Sequence, residues 1–540
     1  MTLTTFEKSR GADTDVIVTG GGPVGLMLAC ELRLGGASVV VLERRTEIDP
    51  TIKAGSLNVP GVEALYRRGL LPALAEEQRR TQEQLMAFLR QRFPDWPGPS
   101  KAAPGRPKVA GHFAGHWLKA DLIDVTDPEF ADRGPAETGA LVGQQAVEAL
   151  LGARAAELGV RIRRGVEVAG FEADEHGVTV TAADGGQIRA GWLAGCDGGR
   201  SLVRRQAGFD FPGTPPEITG HQAVVEMTGS EALQTGWNLT GTGVYAFGPG
   251  PGRILTVEFD GPPEDRDAPV TAAELQASLR NVSGTEVTVT AVRSATRFTD
   301  NARQASTYRI GRVLLAGDAA HVHSPFSGQG LNLGLGDAMN LGWKLAAVIA
   351  GWAPETLLDT YTAERHPIGA WVLDWTRGQV AMMRPDPRSR ALGAVVDDLM
   401  NTTDGATYFA KRISGVWQRY DLGGGELAGR SAPDLELDDG TRLADHLHAG
   451  RGLLLDLTSD PALRGQAAGW DGRVQILEAR SPDSPGLSAM LVRPDGYVAW
   501  SAGPARAGDP DGGHGHDEAL SAALATWFGP PAPVPVPVRT

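Results

Sequence analysis

The chain has 540 residues, and its 51 Lys and Arg against 65 Asp and Glu give a net charge of −14. That length allows three or more domains, while the acidic surplus argues against binding to nucleic acid or to an anionic membrane. Cys30 and Cys196 are the only cysteines, which excludes a disulfide framework and a cysteine-based zinc site and fits a cytoplasmic protein.

No targeting or membrane segment is expected. Residues 1–14 are polar and charged, without the apolar core of a signal peptide. No later stretch reaches about 18 uninterrupted apolar residues. The sequence therefore predicts neither secretion nor a membrane span.

A βαβ unit is the first predicted structure. The β-rich run Asp15–Thr19 is followed by a glycine turn, by a helical pattern from Pro23 to Leu34, and by a second strand at Ser38–Leu42. Two parallel strands bridged by one helix are typical of a buried parallel sheet.

The middle of the chain changes character twice. From Thr81 to Glu137 we predict a loop that contains Pro and Trp. Helix and strand patterns of the α/β kind occupy residues 144–197. Over residues 215–298 apolar residues alternate with a period of two, which predicts an antiparallel sheet interrupted by one helix that Thr271 and Glu274 cap.

The α/β character then returns. A strand is predicted at Arg312–Ala316, a long helix at Asn332–Gly351, and further helix to about Arg412. Residues 433–528 show the strand, turn and helix signals of a small separate α/β domain. The proline-rich tail, residues 529–540, cannot join a β-ladder and is expected to be extended or disordered.

The glycine turn carries the first chemical signal. Gly20-Gly21-Gly22-Pro23-Val24-Gly25 fits the pattern G-x-G-x-x-G between a predicted strand and a predicted helix. Gly20 permits the tight turn, Gly22 a close approach of a pyrophosphate to the backbone, and Gly25 close packing of helix on strand. Glu43 ends the second strand, where a carboxylate accepts hydrogen bonds from ribose hydroxyls, so the unit predicts FAD or NAD.

A second segment has the same character. A strand that ends in Gly317-Asp318 precedes Pro325 and the turn Gly328–Asn332, which opens the long helix. Asp318 is placed to bind a sugar-like hydroxyl, and the turn puts backbone N–H groups at a helix N-terminus, which suits a polar ring edge. Taken alone, Asp318 fits a helix cap equally well. Two dinucleotide-type segments in one chain indicate a flavin.

Three motifs in this order resemble the single-component FAD-dependent aromatic hydroxylases of the p-hydroxybenzoate hydroxylase type, and above all the branch that tailors aromatic polyketides. The motifs are Gly20–Gly25 with Glu43, Cys196-Asp197-Gly198 with Ser201-Leu-Val-Arg204, and Gly317-Asp318 with Pro325–Asn332. The resemblance covers about Asp15 to Pro367, and the C-terminal domain resembles the thioredoxin-like appendage of phenol hydroxylases.

The resemblance implies an α/β fold: a Rossmann-like FAD domain of the glutathione-reductase type, an inserted antiparallel β-sheet substrate domain, and a C-terminal thioredoxin-like domain. Because the last domain contains no cysteine, it cannot be a thiol oxidoreductase. The implied bounds are 1–80, 138–214 and 299–420 for the FAD domain, 81–137 and 215–298 for the substrate domain, 426–528 for the thioredoxin-like domain, and 529–540 for the tail.

The resemblance also implies the cofactor contacts. Glu43 would bind the adenosine ribose and Asp318 the ribityl chain. Pro325 would face the isoalloxazine, and Leu331 and Asn332 would contact its pyrimidine edge. No catalytic side chain and no metal site is predicted. The expected cofactor-binding residues are Gly20, Gly22, Pro23, Val24, Gly25, Glu43, Arg44, Lys53, Gln144, Asp197, Asp318, Pro325, Gly328, Gly330, Leu331 and Asn332.

Three positions depart from the family pattern. Lys53 stands where the family usually has arginine, which keeps the charge but loses a bidentate phosphate contact. Pro60 replaces another arginine, and Ser327 replaces a common glycine. Because of these departures, the sequence does not define the path by which NAD(P)H reaches the flavin.

The inserted sheet supplies the candidate substrate residues. They are aromatic, although aromatic residues of a sheet are more often core. The apolar, loop-rich composition predicts a wide cleft that binds a flat polycyclic ligand without a dedicated ion pair. The four candidate substrate residues are Trp237, Tyr245, Phe247 and Phe259.

His321 and His323 lack the further ligands of a metal site and are expected to pack beside the flavin.

The implied reaction is a monooxygenation. FAD would be reduced by NADPH or NADH, and one oxygen atom from O₂ would enter a polycyclic aromatic polyketide through a flavin C4a-hydroperoxide, as an aromatic hydroxylation in antibiotic biosynthesis. A Baeyer–Villiger insertion stays open, as does a flavin-binding protein that stabilises a reactive intermediate without oxidising it. The expected partners are the substrate, O₂ and NAD(P)H, with the chain as a monomer or homodimer.

Overall fold

The structure is a computed structural model that describes residues 12–92, 109–248, 250–423, 425–482, 486–503 and 514–532. Residues 93–108 of the predicted loop and residues 533–540 of the predicted tail lie outside the described residues. None of the described helices is both long enough and apolar enough to cross a membrane.

Strands and helices alternate through the first part of the chain. In order they are β1 (Thr14–Thr19), α1 (Pro23–Leu34), β2 (Val39–Glu43), β3 (Ser56–Leu57), α2 (Val59–Tyr66), α3 (Leu71–Arg92), β4 (Val109–Phe113), β5 (His116–Lys119), β6 (Ala140–Leu141), α4 (Gln144–Glu157), β7 (Arg161–Arg164), β8 (Val168–Asp174), β9 (Gly177–Ala182), β10 (Gln187–Gly195) and α5 (Leu202–Gln206).

The second part begins with strands and ends with four long helices. In order the elements are β11 (Gly213–Thr214), β12 (Thr219–Thr228), β13 (Gly236–Leu239), β14 (Gly243–Phe247), β15 (Arg253–Glu258), α6 (Ala272–Ser283), β16 (Thr288–Phe298), β17 (Ala302–Gln304), β18 (Arg309–Ile310), β19 (Val313–Leu315), β20 (His321–Val322), α7 (Gln329–Ile349), α8 (Asp359–Met383), α9 (Pro387–Met400) and α10 (Thr403–Ser414).

The last part is a smaller α/β unit. Its elements are β21 (Gly452–Asp456), α11 (Pro461–Ala467), β22 (Val474–Glu478), β23 (Ala489–Val492), β24 (Val498–Ala502) and α12 (His514–Phe528).

An eight-stranded sheet forms the centre of the fold. Its main path is β18-β19-β10-β1-β2-β7, and β9 and β8 continue from β10. β19, β10, β1, β2 and β7 run parallel to one another, and β1 is buried from Val16 to Val18. The predicted βαβ unit is confirmed with α1 at the predicted bounds and β2 shifted by one residue.

A five-stranded antiparallel sheet, ordered β13-β14-β15-β12-β16, is the second layer. Helix α6 covers one face of it, where Leu275, Leu279 and Val282 pack against the strands. Thr271 accepts a hydrogen bond from the backbone N–H of Glu274, so the predicted cap of α6 is confirmed. The other face of the sheet is directed toward the eight-stranded sheet and forms part of the cavity described below.

The loop predicted from Thr81 is wrong over its first twelve residues, because α3 continues to Arg92. The middle of this helix, residues 76–84, contains no apolar residue, so the apolar stripe of an amphipathic helix is interrupted there. Exposed ion pairs one turn apart support it instead, as between Glu76 and Arg80 at 3.0 Å and between Glu77 and Arg80 at 2.8 Å.

Buried charges join the C-terminal unit to α7 and α8. Arg493, between β23 and β24, donates to Glu364 at 2.7 Å, and Lys344 lies 2.9 Å from the same carboxylate. Asp495 is the second acidic partner of Arg493. All four residues are buried, and breaking a buried pair on one side costs about 3–5 kcal/mol. The C-terminal unit is therefore an integral part of the fold.

We expect acid to weaken this junction. Burial raises the pKa of Glu364, but Arg493 and Lys344 outweigh burial and lower the pKa from its ordinary 4.5 to about 2. Because the folded pKa is depressed, the contribution of Glu364 to the free energy of unfolding is complete above pH 4.5 and is lost as the pH falls toward 2. The pKa difference corresponds to about 3 kcal/mol.

Urea unfolding at a series of pH values measures this effect. Glu364→Gln should be less stable at neutral pH and should lose less further stability on acidification than the parent chain. Glu286→Gln is the matched control, since Glu286 is 86% exposed beside Arg280 and should keep the parental profile. Equal acid sensitivity of Glu364→Gln and the parent would contradict the prediction.

Candidate functional site

A cavity of about 1390 Å³ lies between the two large sheets. On one side its wall contains Thr19 and Leu42, at the carboxyl ends of β1 and β2, and on the other Gln222 and Leu255 of the antiparallel sheet. Ligands of α/β proteins bind outside the carboxyl ends of parallel strands. The volume exceeds the roughly 300–1,000 Å³ of pockets for one small ligand, so the cavity has room for a dinucleotide and a second ligand.

The glycine turn between β1 and α1 has the geometry that its sequence predicts. Gly20 has a φ of 100°, and a Cβ there would lie 2.2 Å from the Cys196 carbonyl oxygen; a Cβ on Gly25 would lie 2.0 Å from the Gly20 carbonyl oxygen. Gly22, which lines the cavity, has no atom within 4 Å of such a position. The N-terminus of α1 has no side-chain cap, so its free N–H groups and the space at Gly22 fit a pyrophosphate.

Glu43 lies directly beneath this turn. Its two carboxylate oxygens accept hydrogen bonds from the N–H groups of Gly21 at 2.6 Å and Arg45 at 2.8 Å. Pro23, Val24 and Arg44 line the cavity with it. The carboxylate is thus fixed by the backbone at the cavity wall, and the ribose contact stays a prediction.

Lys53 lines the cavity from the loop after β2. Its ammonium group lies 3.0 Å from Asp49, which also pairs with Arg45 at 3.0 Å. Burial raises the pKa of Asp49, but hydrogen bonds from Thr51 and Lys53 outweigh it and lower the pKa to about 2. The charge at position 53 is therefore held by a carboxylate that stays ionised.

Two further predicted cofactor residues reach the cavity from α4 and from the end of β10. Gln144 is the first residue of α4. Asp197 accepts the N–H groups of Leu202 and Val203 on one oxygen, at 2.8 and 3.1 Å. Its other oxygen is buried, and no described residue donates to it. An unpaired buried acceptor at a cavity wall fits a hydroxyl donor of a bound ligand.

The turn that carries Asp318 is held in place by charged side chains of helices α7 and α8. Asp337 of α7 accepts from the Gly317 N–H at 3.0 Å, from His321 at 2.6 Å and from Arg365 at 2.8 Å. Burial raises the pKa of Asp337, but His321 and Arg365 outweigh it and lower the pKa. Asp318 itself is exposed to the cavity, in a position that fits a sugar hydroxyl.

Helix α7 starts at the cavity wall. It begins at Gln329, three residues before the predicted start, and its N-cap Gly328 has a φ of 60° and provides no side-chain cap. A second helix N-terminus without a side-chain cap thus meets the cavity, a position that suits a polar ring edge. The predicted cofactor residues here that line the cavity are Pro325, Gly328, Gly330 and Leu331.

Asn332 has a structural role that its sequence did not predict. Its side-chain oxygen accepts from the Asn58 N–H at 2.9 Å, and its side-chain nitrogen donates to the Gly328 carbonyl at 2.9 Å. Asn332 is buried and is not among the residues that line the cavity. Its side chain therefore fixes the loop before α2 to the start of α7, and a contact between its backbone and the ring stays a prediction.

Three of the four candidate substrate residues point away from the cavity. Trp237 lines it. Tyr245 and Phe247 lie on the opposite face of β14 and pack in the core against α6, because alternate residues of a strand point to opposite faces. Phe259 follows β15 and packs at a different core cluster, with the guanidinium of Arg384 5.7 Å from its ring centre.

His112 is a cavity residue that no sequence signal indicated. It lies on β4, and its ring centre is 4.4 Å from that of Trp237. Burial lowers its pKa to about 4, and its Nδ1 accepts from the Gly115 N–H at 3.4 Å. The ring is therefore neutral near pH 7, with its proton on Nε2.

His323 lines the cavity beside Asp318, while His321 is buried against Asp337. Burial lowers the pKa of His323. The Nδ1 atom of His323 donates a hydrogen bond to the Ser324 carbonyl at 2.8 Å. Within the described ranges, no group of three His, Cys, Asp or Glu side chains is arranged to hold a metal ion. The arrangement suits a bound dinucleotide with a flat ring.

Comparison with known proteins agrees with this geometry. Residues 13–376 match the family described as FAD binding domain, and residues 425–531 match that described as aromatic-ring hydroxylase, C-terminal. The structure of the anhydrotetracycline hydroxylase from Streptomyces rimosus superimposes with a TM-score of 0.80 at 39% identity, covering 96% of this chain and 100% of that one.

Two curated relatives extend the comparison. A rifampicin monooxygenase of Streptomyces venezuelae is 41% identical, over 95% of this chain and 98% of its own length. A dialkyldecalin synthase of Streptomyces rugosporus is 36% identical, over 96% of this chain and 99% of its own length.

Proposed function

Because this chain belongs to the FAD-binding aromatic-ring hydroxylases and is an FAD-dependent monooxygenase, we propose that it uses NAD(P)H and O₂ to hydroxylate a polycyclic aromatic polyketide in an antibiotic pathway. The observation that supports this most is the shared cavity. One wall carries the two uncapped helix N-termini with Gly22 and Asp318, and the other is the inner face of the antiparallel sheet. The cavity thus has room for FAD and a substrate side by side.

The roles of the residues follow from their positions. The glycine turn and Glu43 would hold the adenosine diphosphate part, Asp197 and Asp318 the hydroxyls of the chain, and the start of α7 the ring. When bound, FAD supplies the activation of O₂, and the route by which it does so stays a prediction of the sequence. The protein orients the substrate against the ring and limits the access of water.

Reduction by NADPH or NADH is part of the proposal. Among the described residues there is one strand, glycine turn and helix of the dinucleotide-binding kind. The nicotinamide would therefore have to reach the flavin from the same cavity. A cytoplasmic location and a monomeric or homodimeric state also stay predictions.

We also propose the predicted division into an FAD domain, an inserted substrate domain and a thioredoxin-like C-terminal domain. The division is supported by the separation of the eight-stranded, the five-stranded and a four-stranded sheet from one another. For the last domain the support is the strand order β22-β21-β23-β24, in which β21 and β22 are parallel while β23 and β24 are antiparallel to their neighbours.

Substrate-dependent turnover tests the proposed function. The oxidation of NADPH and of NADH should be followed with tetracyclic and angular polyketides and, side by side, with simple hydroxybenzoates, with peroxide release measured as a control for uncoupled turnover. We expect coupled turnover of the polycycles, and mass spectrometry under ¹⁸O₂ should find one labelled hydroxyl in the product. Coupled turnover of the small acids alone would contradict the proposal.

The same experiment separates two alternatives. A labelled ring oxygen in place of a hydroxyl would indicate a Baeyer–Villiger insertion. The dialkyldecalin synthase, whose name does not denote an oxygenation, favours a second candidate, namely conversion of a substrate without its oxidation. Substrate-dependent consumption of NAD(P)H with incorporation of label would exclude that candidate.

A further inference from the structure

Arg253 places an unpaired positive charge in the wall of the cavity. It is the first residue of β15, and no described residue forms a hydrogen bond or ion pair with its guanidinium. A Cβ on Gly55 would lie 3.7 Å from both terminal nitrogens, so the guanidinium lies beneath the loop that carries Lys53. Burial lowers the pKa of Arg253.

The register of the sheet fixes the surroundings of Arg253. It pairs with Val224 on β12, and Leu255, two residues further along β15, pairs with Gln222. Residues opposite each other share a face of the sheet, so Arg253 and Gln222 are diagonal neighbours on the cavity side. No described residue forms a hydrogen bond with the side-chain amide of Gln222.

The same face continues as an apolar platform. Register pairs connect Trp237 to Ala246, Ala246 to Leu255, and Gln222 to Thr296 across the five strands. All of these residues line the cavity. A flat ligand resting on this row would have an aromatic side chain at one end, and the amide and guanidinium near the other.

Two other cationic side chains of the cavity wall have acidic partners. Arg297 pairs with Glu274, and Lys53 with Asp49. A partly buried charge without a partner is costly, and a guanidinium matches an anionic oxygen with two parallel N–H groups. A ligand that brings a negative charge to Arg253 removes this cost.

We propose that Arg253 binds an anionic oxygen of the substrate and that Gln222 hydrogen-bonds to an oxygen next to it. The substrate is then a polycycle with an acidic group on one edge: an ionised phenol, an enolised β-diketone or a carboxylate. This inference rests on the proposed function, because it assigns the sheet side of the cavity to the substrate and the opposite side to FAD.

Binding of a matched ligand pair tests this. Emodin is a tricyclic polyketide with acidic phenols, and its trimethyl ether has the same rings without ionisable groups. Titration of the FAD-loaded protein at pH 8 should show at least tenfold tighter binding of emodin. Arg253→Met should lose about tenfold to hundredfold in affinity for emodin and little for the ether, whereas Arg253→Lys should keep part of the preference.

The control is Arg293→Met, because Arg293 lies on β16 of the same sheet but is 68% exposed and pairs with Glu226; its preference should equal that of the parent. Equal binding of the two ligands by the parent chain, or an unchanged preference in Arg253→Met, would overturn the inference. Loss of FAD from Arg253→Met with the preference intact would assign the charge to the cofactor and also overturn it. Binding needs no turnover, so an acid preference that depends on Arg253 in a chain that oxidises no polyketide would contradict the proposed function alone.

Discussion

Replacing Gly22 with valine is expected to abolish FAD binding and to leave the fold intact. Gly22 has an extended backbone, with φ −75° and ψ 179°, which valine adopts without strain. No protein atom lies within 4 Å of the added Cβ, so the side chain would occupy only the space assigned to the pyrophosphate. We expect at least a hundredfold loss of FAD affinity with an unchanged free energy of unfolding of the apoprotein.

FAD content after purification and fluorescence titration of the apoprotein measure the affinity. Gly241→Val is the matched control, because Gly241 also has open space around it but lies outside the cavity wall. Gly25→Ala provides the contrast, since its Cβ would meet the Gly20 carbonyl oxygen at 2.0 Å and should destabilise the turn itself. Stoichiometric FAD in Gly22→Val would show that the pyrophosphate does not approach this turn.

Replacing Asp337 with alanine is expected to cost about 3–5 kcal/mol of stability. The change leaves Arg365, which is 1% exposed, without its buried carboxylate partner. It also removes the acceptor of the Gly317 N–H, so the Asp318 turn should loosen and FAD affinity should fall. Asp337→Asn keeps an acceptor at the same place and should restore part of the affinity.

Chemical denaturation of the apoproteins measures the stability change, and FAD titration measures the second effect. Asp374→Ala is the control, because it removes a carboxylate that is 78% exposed and paired with Arg377; such surface pairs contribute about 0–1 kcal/mol. If Asp337→Ala and Asp374→Ala cost the same, Asp337 does not support the turn as argued.

The glycine turn could be predicted because its requirements are local. Gly20, Gly22 and Gly25 each meet a requirement within one βαβ unit: a tight turn, close approach of a ligand, and packing of the helix on the strand. The pattern itself therefore predicts the strand, the turn and the helix. Asp318 was recognised in the same way, as a carboxylate at a strand end. These residues lie where their sequence context places them.

Asp337 could not be assigned from local sequence, although a signal existed. Asp337, Asn340 and Lys344 interrupt an otherwise apolar helix. Charged residues in such a helix are rarely buried without partners, so they implied buried partners elsewhere. Those partners, Arg365 and Glu364, lie on α8, and only the packed structure brings the two helices together.

The cavity-facing residues of the antiparallel sheet could not be predicted for a different reason. Periodicity shows that Tyr245 and Phe247 share a face of their strand, but it does not show which face meets the cavity. That depends on where α6 packs, which is a tertiary property. Arg253 could not be identified from the sequence, because a single arginine at the start of a strand is most often solvated and only the loop above it encloses it.

The buried junction at Arg493 also bears on how the chain matures during synthesis. Glu364 and its partner Lys344 leave the ribosome more than a hundred residues before Arg493, which donates two hydrogen bonds to Glu364. Until that residue emerges, the Glu364–Lys344 pair of α7 and α8 lacks the C-terminal segment that donates to Glu364, so we expect that the cavity wall formed by α7 does not reach its final packing. Cofactor loading should therefore follow release of the finished polypeptide, and a nascent chain stalled before β23 should not retain FAD.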